Sequence, residues 1–179
     1  PRNRFFRTTW FAFLLTSSYT KNMDKQFSYN FYNSTYGAWD AMYQAILSAK
    51  NSIFWEIYIF VDDQAGNRFI DLLCQKADEG VDVKIIIDAF GSFELSRASV
   101  NRLQAHGVDV KFFNKFVSSG SLRSKWTRLW LRTHCKLLLI DESEAFIGGV
   151  NVQYYMEDWD DLQLRVSGKV TRPLRRYFA

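Results

Sequence analysis

Cysteine is scarce: the chain has only Cys74 and Cys135, without C-x-x-C spacing. That excludes a disulfide scaffold and a cysteine-built zinc site, and it fits a reducing compartment. Proline is limited to Pro1 and Pro173, which excludes collagen-like and proline-rich architectures. No apolar run approaches the roughly 20 residues that span a bilayer. The longest near the start, Trp10 to Leu15, follows Arg2, Arg4 and Arg7 and lacks the small-residue cleavage site of a signal peptide. Histidine occurs twice, as His106 and His134, so imidazole chemistry has two addresses. What remains is 179 residues, 47% hydrophobic and 23% charged, enough for one ordinary core. Lys and Arg number 23 against 19 acidic residues, a net +4 that leans toward anionic partners.

The patterning predicts an α/β layered fold. Asn33-Ser34 offers a cap before Trp39, Met42, Tyr43, Ile46 and Leu47 at helical spacing. Ile53 to Val61 is apolar except for Glu56, as in a strand buried on both faces. A helix follows with Phe69, Ile70, Leu72, Leu73 and Ala77, then a strand from Val81 to Ile87 ending at Asp88. Gly91-Ser92 is expected to open a third helix, with Ser92 as its cap, and Val108 to Phe113 a third strand. Alternation at these spacings implies a mixed, mostly parallel sheet with helices on both faces. Cys135 to Ile140, Ala145 to Val150 and Leu162 to Val166 lack intervening helices and read as partly antiparallel additions. Residues 27–179 are expected to form a single domain. Residues 1–26 form an N-terminal segment for which an interfacial anchor or the stub of a membrane segment is one reading, and the chain reads as part of a longer protein.

Chemistry concentrates around His134-Cys135-Lys136. Side chains alternate along a strand, so His134 and Lys136 share a face while Cys135 takes the other. Gly148 and Gly149 remove side chains where the next strand turns, and Asn151 adds an amide at the mouth between the strands. An imidazole, an ammonium and an amide suit an anion with several oxygens, the imidazole serving as nucleophile or proton carrier.

The order H-x-K-x4-D, then G-G-x-N, filled by His134, Lys136, Asp141, Gly148, Gly149 and Asn151, resembles the signature of the phospholipase D superfamily. Three flanking stretches are similar to bacterial cardiolipin synthases, most of all their N-terminal half: Glu56 to Asp63, Gly80 to Ser92, and Trp159 to Gly168. The resemblance implies a phospholipase D-like half-domain whose site is completed by a second His and Lys, in the same chain or from a homodimer partner. It implies that His134 attacks a phosphodiester to give a phosphohistidine, that Lys136, Asn151 and Gly149 bind the phosphate, and that Asp141 is a supporting catalytic residue. Neither metal nor cofactor is implied. Glu56 reads as a paired structural carboxylate or as support for the site, Asp88 as a strand-end carboxylate, and Trp159 as a core residue or, with Asp160, as part of the site's wall.

The function expected is phosphatidyl transfer between anionic phospholipids at a cell membrane, by a peripheral or anchored protein with a cytoplasmic catalytic domain. The alternative is a homodimeric single-motif nuclease, because only one H-x-K is present and His106 has no Lys two residues on. A non-enzymatic lipid- or nucleic-acid-binding module is the third reading. From Val110 to Ile140 there is no acidic residue, while Lys115, Arg123, Lys125, Arg128 and Arg132 alternate with Phe116, Trp126 and Trp130. Such a stretch suits lipid headgroups or a single nucleic-acid strand.

Overall fold

In the computed structural model, residues 27–113 and 133–178 are described. The expectations for residues 1–26 and for most of the basic aromatic stretch, 114–132, lie outside them.

Each described α-helix starts where a side chain accepts from N–H groups that the first turn cannot pair. Ser34 Oγ accepts from Gly37 N at 3.3 Å and opens α1, Thr35–Ser48. Asp63 Oδ1 accepts from the N–H groups of Ala65 and Gly66, each at 3.0 Å, and opens α2, Gln64–Asp78. Ser96 Oγ accepts from Ser99 N at 3.1 Å and opens α3, Arg97–Ala105. The third helix therefore begins later than Gly91-Ser92. The Asp88 carboxylate captures the N–H groups of Phe90 and Gly91 and folds them into a turn, while Ser92 Oγ accepts from Phe60 N at 2.9 Å.

The strands are β1 Phe27–Tyr32, β2 Ser52–Ile57, β3 Asp82–Asp88, β4 Asp109–Phe113, β5 Leu137–Ile140, β6 Glu144–Gly148 and β7 Gln163–Gly168. Among the described residues they form one sheet in the order β1-β7-β6-β5-β2-β3-β4. The expectation of a mostly parallel sheet is corrected. Only β2-β3 and β3-β4 are parallel; β2-β5, β5-β6, β6-β7 and β7-β1 are antiparallel. Parallel neighbours need a long crossover, and α2 and α3 supply one each. The β5-β6 pair closes through a short turn at Asp141 and Glu142, both at positive φ, which permits only antiparallel pairing.

Among the described residues, helices cover both faces unequally. The three α-helices described pack on one face, where Trp55, Ile57, Ile85, Ile87, Leu138 and Phe146 meet Ile46, Ile70, Leu73 and Leu103. On the other face a 3-10 helix, Lys169–Tyr177, brings Leu174 and the following Phe178 against Phe54, Leu137, Leu139 and Ala145. This arrangement gathers the carboxyl ends of β2, β3 and β6 and the amino ends of β5 and β7 at one edge. No helix among the described residues is long and apolar enough to cross a membrane.

Candidate active site

That edge carries the H-x-K segment. Ladder pairing of β5 begins at Leu137, opposite Glu56 and Ile147, so residues 133–136 emerge beside the end of β2. Cys135 packs with Leu137 and Leu139 on the face away from the α-helices. Its two neighbours project together toward Tyr58, the first residue past β2. The His134 ring centroid lies 5.0 Å from that of Tyr58, and Lys136 Nζ lies 5.3 Å from the same centroid.

Lys136 is 4% exposed, and its Nζ donates to the His134 carbonyl at 3.2 Å. Burial pushes its ammonium down to about 8, against the pull of the Asp161 carboxylate. His134 is exposed at the mouth. Partial desolvation, then the charge of Lys136, holds its imidazole below the usual histidine range, with Asp161 opposing. At neutral pH the site presents a neutral imidazole next to a cation, the state a nucleophilic imidazole requires.

Asn151 closes the mouth from the strand β6 side. Its carbonyl accepts from Trp39 Nε1 at 2.7 Å and its Oδ1 from Ile59 N at 3.1 Å, which fixes the amide plane and with it the direction of the Nδ2 hydrogens, the side chain's donors. Around it the loops after β2 and β6 are zipped by Val61 N to Val152 O at 3.1 Å and Val152 N to Ile59 O at 3.0 Å. Glu56 is 4% exposed and accepts from the Thr133 hydroxyl. Asp88, fully buried, accepts from Thr133 N at 3.2 Å with its other oxygen. Carboxylates on two adjacent strands thus grip the residue preceding His134, the supporting use that buried acids need if they are not to be costly.

Two predicted residues are placed differently. Asp141 ends β5 seven residues from His134, roughly 23 Å along an extended chain. There it accepts from the N–H groups of Lys50 at 2.9 Å, Asn51 at 2.7 Å and Ser52 at 2.8 Å, so it ties β5 to the start of β2 and does not reach the imidazole. Gly149 spends its N–H on the Leu162 carbonyl at 2.9 Å and so does not offer it to a phosphate. Its contribution is space: a Cβ there would lie 2.0 Å from Asp161 Oδ1.

Tyr58, Thr133 and Asp161 were not singled out as site residues by sequence reasoning. Tyr58 and Asp161 do lie inside the motif-like stretches, but neither spacing nor residue type tells which members of those stretches converge. Trp159, expected in the core, is 49% exposed and packs edge-on against Tyr155 at 5.4 Å.

Residues 42–178 match the family model described as cardiolipin synthase, PLD-like domain. The chain is 33% identical over 144 residues to a probable cardiolipin synthase of Bacillus subtilis (strain 168), covering 76% of this chain and 28% of that protein. It therefore spans less than a third of that relative's length. Among solved structures, NucT from Helicobacter pylori superposes with a TM-score of 0.66 at 16% identity, covering 86% of this chain and 93% of that one. Nuc from Salmonella typhimurium, a phospholipase D family member, superposes at 0.59 with 20% identity, covering 85% and 90%. At these identities the two structures speak for the fold alone.

Proposed function

The chain belongs to the phospholipase D superfamily, in the branch of the cardiolipin synthases, and on that premise we propose that it is one catalytic half of a phosphatidyltransferase acting on anionic phospholipid. The observation that carries the reading is the pairing of a neutral imidazole with a 4% exposed ammonium, both against Tyr58 at an open mouth. Burying a cation costs free energy unless an anion completes it, and a phosphodiester does so.

In the proposed cycle a His134 ring nitrogen attacks the phosphorus of phosphatidylglycerol. A bond from nitrogen to phosphorus forms, the bond to the headgroup oxygen breaks, and glycerol leaves with a proton given by the histidine of the second half. A hydroxyl of a second phosphatidylglycerol then attacks the phosphohistidine, loses its proton to that same histidine and frees His134. The net change converts two phosphatidylglycerols into cardiolipin and glycerol. Lys136 and the Asn151 amide meet the non-bridging oxygens, whose charge grows in the pentavalent transition state. The second half comes from the same chain or a homodimer partner, residues 27–179 act as one domain, and the site works at a membrane surface on the cytoplasmic side.

The test is phosphatidyl transfer from labelled phosphatidylglycerol by the full-length protein, with and without His134→Ala. The expected outcome is cardiolipin formation that falls at least about 1000-fold in the variant, with a labelled protein adduct trapped by acid quench only when His134 is present. Equal transfer by both proteins overturns the reading. Absence of lipid transfer together with chelator-resistant cleavage of DNA or RNA would move the chain to the nuclease alternative.

A further inference from the structure

We infer that Tyr58 is a positioning residue of the site, a ring that fixes His134 and the Lys136 ammonium relative to each other and keeps the ammonium charged. Its contacts and its seat both place it so. The ring lies 5.0 Å from the His134 ring at an interplanar angle of 59° and 5.3 Å from Lys136 Nζ. Among the described residues it is an aromatic partner shared by both groups, although they sit on a different element.

The ring's seat is built by the β3 side of the mouth. Ser92 Oγ lies 3.0 Å from the Tyr58 carbonyl as donor and 2.9 Å from Phe60 N as acceptor, so one hydroxyl spans the backbone on either side of Ile59. Gly91 fits where nothing larger does: a Cβ there would lie 2.9 Å from Tyr58 Cε2 and 2.3 Å from the Tyr58 carbonyl oxygen. The Asp88 carboxylate in turn holds Gly91 N at 3.0 Å, with its other oxygen on Thr133 N. The seat of the ring and the anchor of the H-x-K segment therefore hang on the same carboxylate.

An aromatic face attracts a cation through its quadrupole, most strongly where water is excluded, as at Lys136. Among the described residues, the Asp161 carboxylate and the Cys135 thiol act on that ammonium, and the ammonium in turn acts on His134. Loss of the ring weakens the charged form, so Lys136 titrates at lower pH and carries less charge toward an anion at and above neutral pH. The position rests on the proposed function only for turnover, because the Lys136 titration and the binding of an inorganic anion are measurable without it.

The experiment uses full-length protein carrying Tyr58→Phe, Tyr58→Leu, or 3,4,5-trifluorophenylalanine at position 58, which keeps the shape and weakens the ring's negative face. Nuclear magnetic resonance follows the Lys136 ammonium against pH and the His134 imidazole against inorganic phosphate at pH 7. Tyr58→Phe is expected to titrate and bind as the wild type does. The trifluoro ring and Tyr58→Leu are expected to lower the Lys136 midpoint and to weaken phosphate by about tenfold, the fluorinated ring serving as the shape-preserving arm if leucine unfolds the mouth. In transfer assays the alkaline limb is expected to move to lower pH in the same order. Unchanged Lys136 titration and phosphate affinity with the trifluoro ring overturn the inference, as does a loss in Tyr58→Phe as large as in Tyr58→Leu, which would assign the role to the hydroxyl. Normal Tyr58 effects in a protein without transfer activity would sink the proposed function and leave this inference standing.

Discussion

Lys136 is the residue at which stability and function pull in opposite directions. Its ammonium is buried, donates to one carbonyl and faces one ring, and its pKa falls from the ordinary 10.5 to about 8. Between those two values the unfolded chain still holds the proton that the folded chain has released, so stability rises with pH through this window and the cost of the charge is fully present below about 8. That cost is on the order of 3 kcal/mol. Lys136→Met, which keeps length and removes the charge, is expected to raise the unfolding free energy at pH 7 by about that much and to abolish phosphate binding. Urea unfolding at pH 7 and again above pH 10 checks it: the advantage should shrink at the higher pH, and a destabilised variant at pH 7 would contradict the argument. His134 has the complementary behaviour. Its lowered pKa keeps the imidazole neutral at physiological pH, the form that the proposed attack on phosphorus requires.

At the scale of elements, β5 holds two unlike ends together. Its amino end follows the His134 and Lys136 pair of the proposed site, and its carboxyl end is a clasp made by Asp141. Burial alone would raise that carboxyl's pKa, but the N–H groups of Ser52, Lys50 and Asn51 outweigh it and hold the pKa below the usual aspartate value. The clasp's contribution is therefore present above the ordinary carboxylate range and is lost as pH falls through the lowered pKa. Asp141→Ala is expected to cost about 1–3 kcal/mol of stability and to leave the His134 titration unchanged, as thermal unfolding at pH 7 and nuclear magnetic resonance would record; a shifted His134 would show that the two ends communicate. This division shows what the sequence could and could not display. Alternation along His134-Cys135-Lys136 correctly put the two functional groups on one side, because pleating is local. The resemblance, not the local reading, assigned Asp141 a supporting role in the chemistry, and membership of a motif does not reveal that four paired residues separate the two ends. The parallel centre was legible for β2, β3 and β4, where helical spacing announced each crossover. The direction of β5 beside β2 was not, because nothing in Leu137 to Ile140 distinguishes one neighbour from another. Tyr58, Thr133 and Asp161 reach the site from three separate segments, and only pairing across the sheet brings them together.

For the molecule as a whole, the mouth is rimmed by apolar surface that a water-facing site would not need. Phe90 (48% exposed), Phe93 (75%), Tyr154 (45%), Tyr155 (59%), Trp159 (49%) and Leu162 (56%) all lie in the loops at the edge that bears His134 and Lys136. Two of those loops are joined where Gln153 Nε2 donates to Glu94 Oε2 at 3.2 Å, and Tyr155 and Trp159 pack edge-on. Aromatic side chains with a polar edge settle at the boundary between headgroups and acyl chains. Among the described residues, acidic side chains interrupt the rim at Glu94, Glu157, Asp158 and Asp160, so the described rim would meet an anionic surface through apolar burial rather than through charge. Seating the rim in a lipid surface would bring a phosphodiester to the depth of Lys136 without lifting the lipid fully into water. In the full-length enzyme, Phe93→Ser with Trp159→Ser is accordingly expected to lower transfer on phosphatidylglycerol vesicles by about tenfold. The same variant should keep wild-type turnover on a short-chain phosphatidylglycerol below its micelle concentration, and vesicle binding should weaken without added salt sensitivity. Equal loss on both substrates would mean that these side chains shape the site or receive the second catalytic half, because only a surface contact discriminates a lipid in a bilayer from the same headgroup free in solution.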